Sequence, residues 1–326
     1  MVQLPNTCGM CASESGHTSS SSLFWAYGPP PDRLAYAVFR QVGRLTSALT
    51  FFFEPMQMLI DLAKKALSEN RNLPFSVYRS IKEQHMLNVP VIKPLLIVVL
   101  SGSKELGFEG ELVCPPGSFV FLSNKPTIAM RNIPSNSEYF ALLIEFEYSD
   151  FECIEHRSSE TNKYFQGVLE PTLEYTLKQF IEWSELAPPQ LWHIRRKEIL
   201  QVMRSLGFEQ VRSIMKPPTL SHKIYTIIAS DLTNDLDAGV ISSMLAMSES
   251  TLRRKLSAEG DRFQDIKDRA KLGYGLHLVQ TSTNSIGRIA ALCGYSSQSR
   301  FTDKFKRLFN VTPTELRKTR MNGSGE

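Results

Sequence analysis

The sequence predicts an α+β protein: a strand-rich N-terminal region, then an all-helical C-terminal domain with two helix-turn-helix units. Three observations predict it. Short β-branched and aromatic runs alternate with turn residues between Phe75 and Tyr148. Apolar residues at helical spacing take over from Asn162. An eight-residue pattern beginning at Ile241 returns 48 positions later, at Ile289.

Taken in order, residues 1–31 are rich in Ser, Gly and Pro and carry few charges, which predicts disorder. Helical spacing follows over residues 32–72, with Leu59, Leu62, Ala63, Ala66 and Leu67 on one stripe. Pro55 is expected to interrupt that helix or to start a new one. Met56 and Met58 stand at this break, so translation is expected to begin there, with residues 1–55 a disordered or mis-assigned extension. Cys8 and Cys11 form a C-x-x-C without the second pair that a zinc ribbon needs. The five cysteines are odd in number and scattered, which argues against a disulfide framework.

The strand-rich part is expected within a sensing domain spanning residues 56–160. Its apolar runs are Val91–Ile92, Leu95–Leu100, Leu112–Cys114, Phe119–Leu122, Ile128–Met130 and Tyr139–Phe146. Turns at Ser101-Gly102-Ser103, Gly110 and Pro115-Pro116-Gly117 separate them, as in a small antiparallel barrel or sandwich. Residues 161–218 read as a helical dimerisation or linker region, with Leu169, Leu173, Leu177, Phe180 and Ile181 at helical spacing. Arg195, Arg196 and Lys197 read as a solvated face. Lys216-Pro217-Pro218 is expected to end the region, and residues 219–322 to form the last domain.

Charge separates the parts. The chain carries +4 overall, and from Ser221 onward 16 Lys and Arg stand against 11 Asp and Glu. The positive excess therefore lies in the C-terminal third, where a phosphate backbone would attract it. No apolar run is long enough for a membrane span, and no secretory signal precedes the first helix, so the expected address is the cytoplasm.

In the repeat, Ile241-Ser242 corresponds to Ile289-Ala290, Ala246 to Gly294, and Ser248 to Ser296. Closely crossing helices need the small residues, the turn needs Ala246 or Gly294, and the serine is expected to cap the next helix. Beyond the cap the offset is 49: Leu252 corresponds to Phe301 and Leu256 to Phe305, an i, i+4 apolar stripe in each unit. The opposite faces carry Ser250, Arg253 and Arg254 in the first unit, and Gln298, Ser299, Arg300 and Asp303 in the second. Arg suits guanine O6/N7, Gln suits adenine, and Asp accepts from cytosine N4. The alternative is two ordinary helical hairpins with charged outer faces. Arg262, Arg269, Lys304, Lys306 and Arg307 are phosphate candidates, with Lys267, Arg317, Lys318 and Arg320 beside them. The helix from Phe263 to Val279 would set the two readers about one DNA turn apart.

Residues Ile289-Ala290, Gly294-Tyr295-Ser296, Phe301, Phe305-Lys306-Arg307, Phe309 and Val311-Thr312-Pro313 resemble the AraC/XylS family of bacterial transcription regulators. So does Ser248 to Gly260, and the resemblance covers roughly 221–320. It implies a regulator, most often an activator contacting RNA polymerase, with a repressor using the same helices as the alternative. It implies the same base-reading residues, Ser250, Arg253, Arg254, Gln298, Ser299 and Asp303. It also implies a cupin-like N-terminal barrel controlled by a small apolar molecule or a protein partner, and a homodimer. Ser242 stands where the family has Ala, and Gly273 and Gly275 are expected to loosen the linker helix. None of the six histidines lies between Val89 and Tyr148, so a metal-dependent cupin enzyme is not expected. Neither enzymatic activity, cofactor, metal site nor membrane partner is expected.

Overall fold

Apolar residues on every position of Leu95–Leu100 imply a strand covered on both faces, and the computed structural model shows why. It describes residues 46–69, 72–124, 127–135, 138–152, 154, 164–214, 219–234 and 236–320, with side chains from Met56 onward. The expectations for residues 1–45, for Cys8 and Cys11, and for the Lys216–Pro218 break lie outside the described residues. From Ser47 onward the chain is one unit, and its fold is α+β.

Helix α1 (Thr46–Ser68) precedes nine strands: β1 (Ser76–Ser80), β2 (Gln84–Val89), β3 (Leu95–Ser101), β4 (Ser103–Leu106), β5 (Leu112–Cys114), β6 (Ser118–Leu122), β7 (Ile128–Ile133), β8 (Tyr139–Glu145) and β9 (Tyr164–Val168). They form two antiparallel sheets, ordered β1-β8-β3-β6-β9 and β2-β7-β4-β5. Strand alternation sorts the central strands. Leu96, Val98, Phe119, Phe121, Phe140 and Leu142 face an outer helical layer. Ile97, Val99, Val120, Ala141 and Leu143 face the space between the sheets, meeting Met86, Leu106, Cys114 and Met130.

Helices α2 (Pro171–Ser184), α3 (Trp192–Ser205) and the single turn α4 (Val211–Ile214) join α1 in that outer layer. The C-terminal part is α5 (Leu220–Ser230), α6 (Ala238–Met244), α7 (Glu249–Ala258), α8 (Phe263–Thr281), α9 (Ile286–Leu292), α10 (Gln298–Phe309) and α11 (Pro313–Lys318).

Several expectations are corrected. Helix α1 passes position 55 without a break, because it is one element from Thr46. Val91–Ile92 lies in a loop, whereas β1, β2 and β4 are strands that polar alternation concealed. Tyr164–Val168 is not helical: it is an edge strand paired with β6. Arg196 is not on a solvated face, since it forms a 2.5 Å ion pair with fully buried Asp150. Arg195 pairs with Glu198 and lies over the Trp183 ring.

The helical part is docked on the strands through α8. Gly273 meets Pro90 so closely that an added Cβ would lie 2.8 Å from Pro90 Cγ. One turn on, His277 packs against the Tyr78 ring at 6.4 Å. At the end of the helix, Gln280 donates to Gln84 Oε1 at 3.0 Å, and Gln84 donates to Thr319 Oγ1 at 2.7 Å. The buried chain continues through Asn132, which donates to Gln84, to the Lys104 ammonium, which donates to Asn132 Oδ1 at 2.7 Å. Burial lowers the Lys104 pKa to about 8.

Helix propensity alone predicts that Gly273→Ala stabilises the protein by about 1 kcal/mol. The Pro90 contact predicts the opposite sign, a loss of about 1–3 kcal/mol by urea unfolding; a gain would overturn the packing argument. Burial also lowers the pKa of His277, and burial followed by nearby Lys93 lowers that of His222, whose ring packs on Tyr148. The unfolded chain therefore binds more protons below about pH 6.5. Stability is fully present above that value and is lost as pH falls through the depressed folded values. The thermal midpoint should drop between pH 7.5 and 5.5, less steeply in His277→Gln; identical profiles would contradict this.

Candidate nucleic-acid interface

Each repeat folds as a helix, a turn and a second helix with the same backbone hydrogen bonds. In the first, Leu245 N donates to Ile241 O at 3.0 Å and Met247 N to Ser242 O at 3.0 Å. In the second, Cys293 N donates to Ile289 O and Tyr295 N to Ala290 O, both at 2.9 Å. These bonds close the first helix around a left-handed residue. That residue is Ala246 (φ 52°) in one turn and Gly294 (φ 70°) in the other.

The scaffold residues are placed as the stripe requires. Ile241, Ser242, Leu252 and Leu256 are buried in the first unit, and Ile289, Ala290, Phe301 and Phe305 in the second. Burying the Ser242 hydroxyl is tolerated because its Oγ donates to Gly239 O at 2.8 Å. Tyr295, Phe301, Phe305 and Phe309 pack in series, edge-on or tilted, with ring centroids 5.5, 5.5 and 4.6 Å apart. Ser248 caps α7 by accepting from Thr251 N. The cap of α10 is Ser297, which accepts from Arg300 N, and not Ser296 as the repeat suggested. The 49-residue offset therefore starts at the cap itself.

Ser250, Arg253 and Arg254 on α7, and Gln298, Ser299, Arg300 and Asp303 on α10, are all exposed. Arg253 forms an exposed pair with Glu249 at 3.2 Å, worth little in water. The phosphate candidates divide. Arg262, Lys306 and Arg307 are exposed, as is Lys318. Arg269 pairs with Asp261 at 2.6 Å, and Lys304 pairs with Asp268 at 2.7 Å. Lys267 donates to Leu236 O at 2.7 Å. Arg317 donates to Asn284 O, and buried Arg320 to Val279 O. These cations hold protein to protein.

Glycine did not break the linker. Helix α8 is continuous over 19 residues, about 28 Å at 1.5 Å per residue. Gly275 lets Phe301 approach: an added Cβ would lie 2.7 Å from that ring. Sequence reasoning did not single out Lys271 or Gln280 of α8; the only available signal was polar residues recurring on a helix that is buried on several sides.

Residues 241–319 match the family described as Helix-turn-helix domain. The transcriptional regulator SirC of Salmonella typhimurium is 35% identical over 113 residues, 35% of this chain and 38% of that protein. The HTH-type transcriptional regulator AdiY of Escherichia coli is 30% identical over 109 residues, 33% of this chain and 43% of that protein. The chain thus spans about two-fifths of these relatives' length. A crystal structure of unsaturated fatty acid-bound ToxT from Vibrio cholerae superposes with a TM-score of 0.58 at 16% identity, over 78% of this chain and 100% of that one. Its likeness is one of fold. Among the described residues no helix is long and apolar enough to cross a membrane, and no cluster of His, Cys, Asp or Glu could hold a metal ion.

Ser297→Ala should cost about 1 kcal/mol of stability, while Ser296→Ala stays within about 0.5 kcal/mol of wild type. Equal losses in the two variants would put the cap elsewhere.

Proposed function

Residues 241–319 being an AraC-type helix-turn-helix domain, we propose that the chain is a sequence-specific DNA-binding regulator of transcription. One observation carries this reading: two turns with matching hydrogen bonds each lead into a serine-capped helix whose polar face is exposed. Base reading falls to Ser250, Arg253, Arg254, Gln298, Ser299, Arg300 and Asp303. Phosphate contact falls first to exposed Arg262, Lys306 and Arg307, with Arg269 and Lys304 contributing only if their internal pairs open. The protein acts as an activator by touching RNA polymerase, without enzymatic chemistry, in the cytoplasm.

Control enters through the strand-rich region. The described side chains between its sheets are largely apolar, which suits a small apolar effector. The unsaturated fatty acid bound to the ToxT of similar fold supports that ligand class. Exposed Tyr175, Leu186, Leu191 and Ile194, on and between α2 and α3, support a homodimer surface there.

The test uses duplexes that the full-length chain selects from a randomised pool. Arg254→Ala and Gln298→Ala should each weaken binding by about 1–3 kcal/mol and relax preference at particular base pairs. Lys306→Ala should weaken all duplexes evenly and lower the salt slope by about one. Failure of the wild-type chain to retain any duplex sequence would end this reading. Reporter transcription from the selected site, rising or falling with the protein, separates activator from repressor.

A further inference from the structure

The second turn differs from the first in a way that backbone geometry does not require. Ala246 occupies the left-handed position of the first turn at φ 52°, so a Cβ is tolerated by a turn of this kind. At Gly294 an added Cβ would lie 2.1 Å from Leu232 O and 2.9 Å from Lys271 Nζ. Leu232 belongs to the core of the first unit, with Ile241, Leu252 and Leu256. Gly294 is the hinge point of the second. The two units therefore meet at this glycine.

Lys271 holds the meeting point. It lies on α8, is 6% exposed, and its Nζ donates to Gly294 O at 3.2 Å. The ammonium also sits 5.9 Å from the centre of the Tyr295 ring. Burying a lysine is costly unless its charge is used, and here it binds a turn carbonyl and an aromatic face. The same side of α8 bonds to both units. Lys267 donates to Leu236 O, ahead of α6, and Asp268 accepts from Lys304 of α10.

We propose that Lys271 and Gly294 form a joint that locks the second helix-turn-helix unit against Leu232 of the first, fixing the spacing and angle between the two reading helices. Both are positioning residues, and their role in binding rests on the DNA-reading function proposed above. A rigid joint makes the second reader's encounter with DNA intramolecular at one geometry. The chain thereby selects the separation of two DNA segments as well as their sequences.

The experiment has one arm without DNA and one with it. Spin labels are placed at S257C on α7 and A291C on α9, in a full-length chain carrying C8S, C11S and C153S. The wild-type distance distribution should be narrow, K271M should broaden it, and K271R should restore it. In the second arm, duplexes selected by wild type are compared with copies carrying one inserted base pair between the protected segments. Insertion should weaken wild type on the order of tenfold or more. K271M should bind the original duplex more weakly and lose less on insertion. Should K271M fail to fold, G294A carries both arms, since Ala246 shows that the turn itself accepts alanine. Unchanged distance widths and an unchanged insertion penalty in a folded variant would overturn the joint. If wild type selects no duplex, the DNA-reading function falls, and the label distances alone decide whether the joint exists.

Discussion

Helix α8 is the constraint on which the rest of the molecule depends, because it is buried by three partners at once. Its first half gives Ile266 and Ala270 to the core of the first helix-turn-helix unit. The second half gives Leu272, Leu276 and Val279 to the core of the second unit and of the strands. A helix with an apolar stripe on one side can satisfy one partner. Three partners require apolar residues around the circumference, small residues where backbones approach, and polar residues whose ends reach named acceptors. Gly273 and Gly275 supply the close approaches, and Lys267, Lys271 and Gln280 supply the reach. Each glycine costs about 1 kcal/mol of helix propensity. The contacts with Pro90 and Phe301 offset that cost, since neither could form against alanine without a shift.

Joining strands to readers divides into apolar and polar parts with different consequences. The apolar part supplies most of the attraction, since burying such surface is favourable wherever it fits. The Gln280–Gln84–Asn132–Lys104 chain adds little net energy, because its polar groups would be hydrated if the parts separated. Its effect is on orientation: buried amides tolerate one alignment and leave donors unpaired in others. The relative placement of strands and readers is thus fixed more sharply than apolar contact alone would fix it.

Much of this was legible in the sequence, for identifiable reasons. The repeat was legible because helix-turn-helix packing imposes small residues, a left-handed turn position and an apolar stripe within twenty residues, all local. The faces of α7 and α10 followed from helical periodicity, and Ser250, Arg254, Gln298 and Asp303 are exposed as that periodicity requires. Edge strands were less legible. The strand β2 reads Gln-His-Met-Leu-Asn-Val and contains a left-handed Asn88, so neither alternation nor composition marked it. The long-range pairs were illegible in principle. Asp150 meets Arg196 across 46 positions, and Gln84 meets Gln280 across 196; no local pattern encodes either. Gly273 and Gly275 were misread for the same reason, since a glycine's packing partner lies elsewhere in the chain.

The two readers are consequently not equivalent. The first unit closes its own core with aliphatic side chains, Ile224, Ile228, Ile241, Leu252, Leu256 and Ile266. The second builds its core from a row of phenylalanines continuous with Met86, Val89 and Met130 of the strands. Asn88 fixes the end of that row by donating to Leu308 O at 3.0 Å, and Ile81 N donates to Thr319 O at 2.7 Å. Packed interiors transmit displacement because they have little room to absorb it. A shift of β2 therefore acts directly on α10 and α11. It reaches α7 through α8, through the contact between Leu232 and Gly294, and through α5, whose His222 packs on Tyr148. The second reader shares its core with the strands, whereas the first meets them through α5 and α8, and the stiffness of α8 sets how much of a change in the second reader the first one feels.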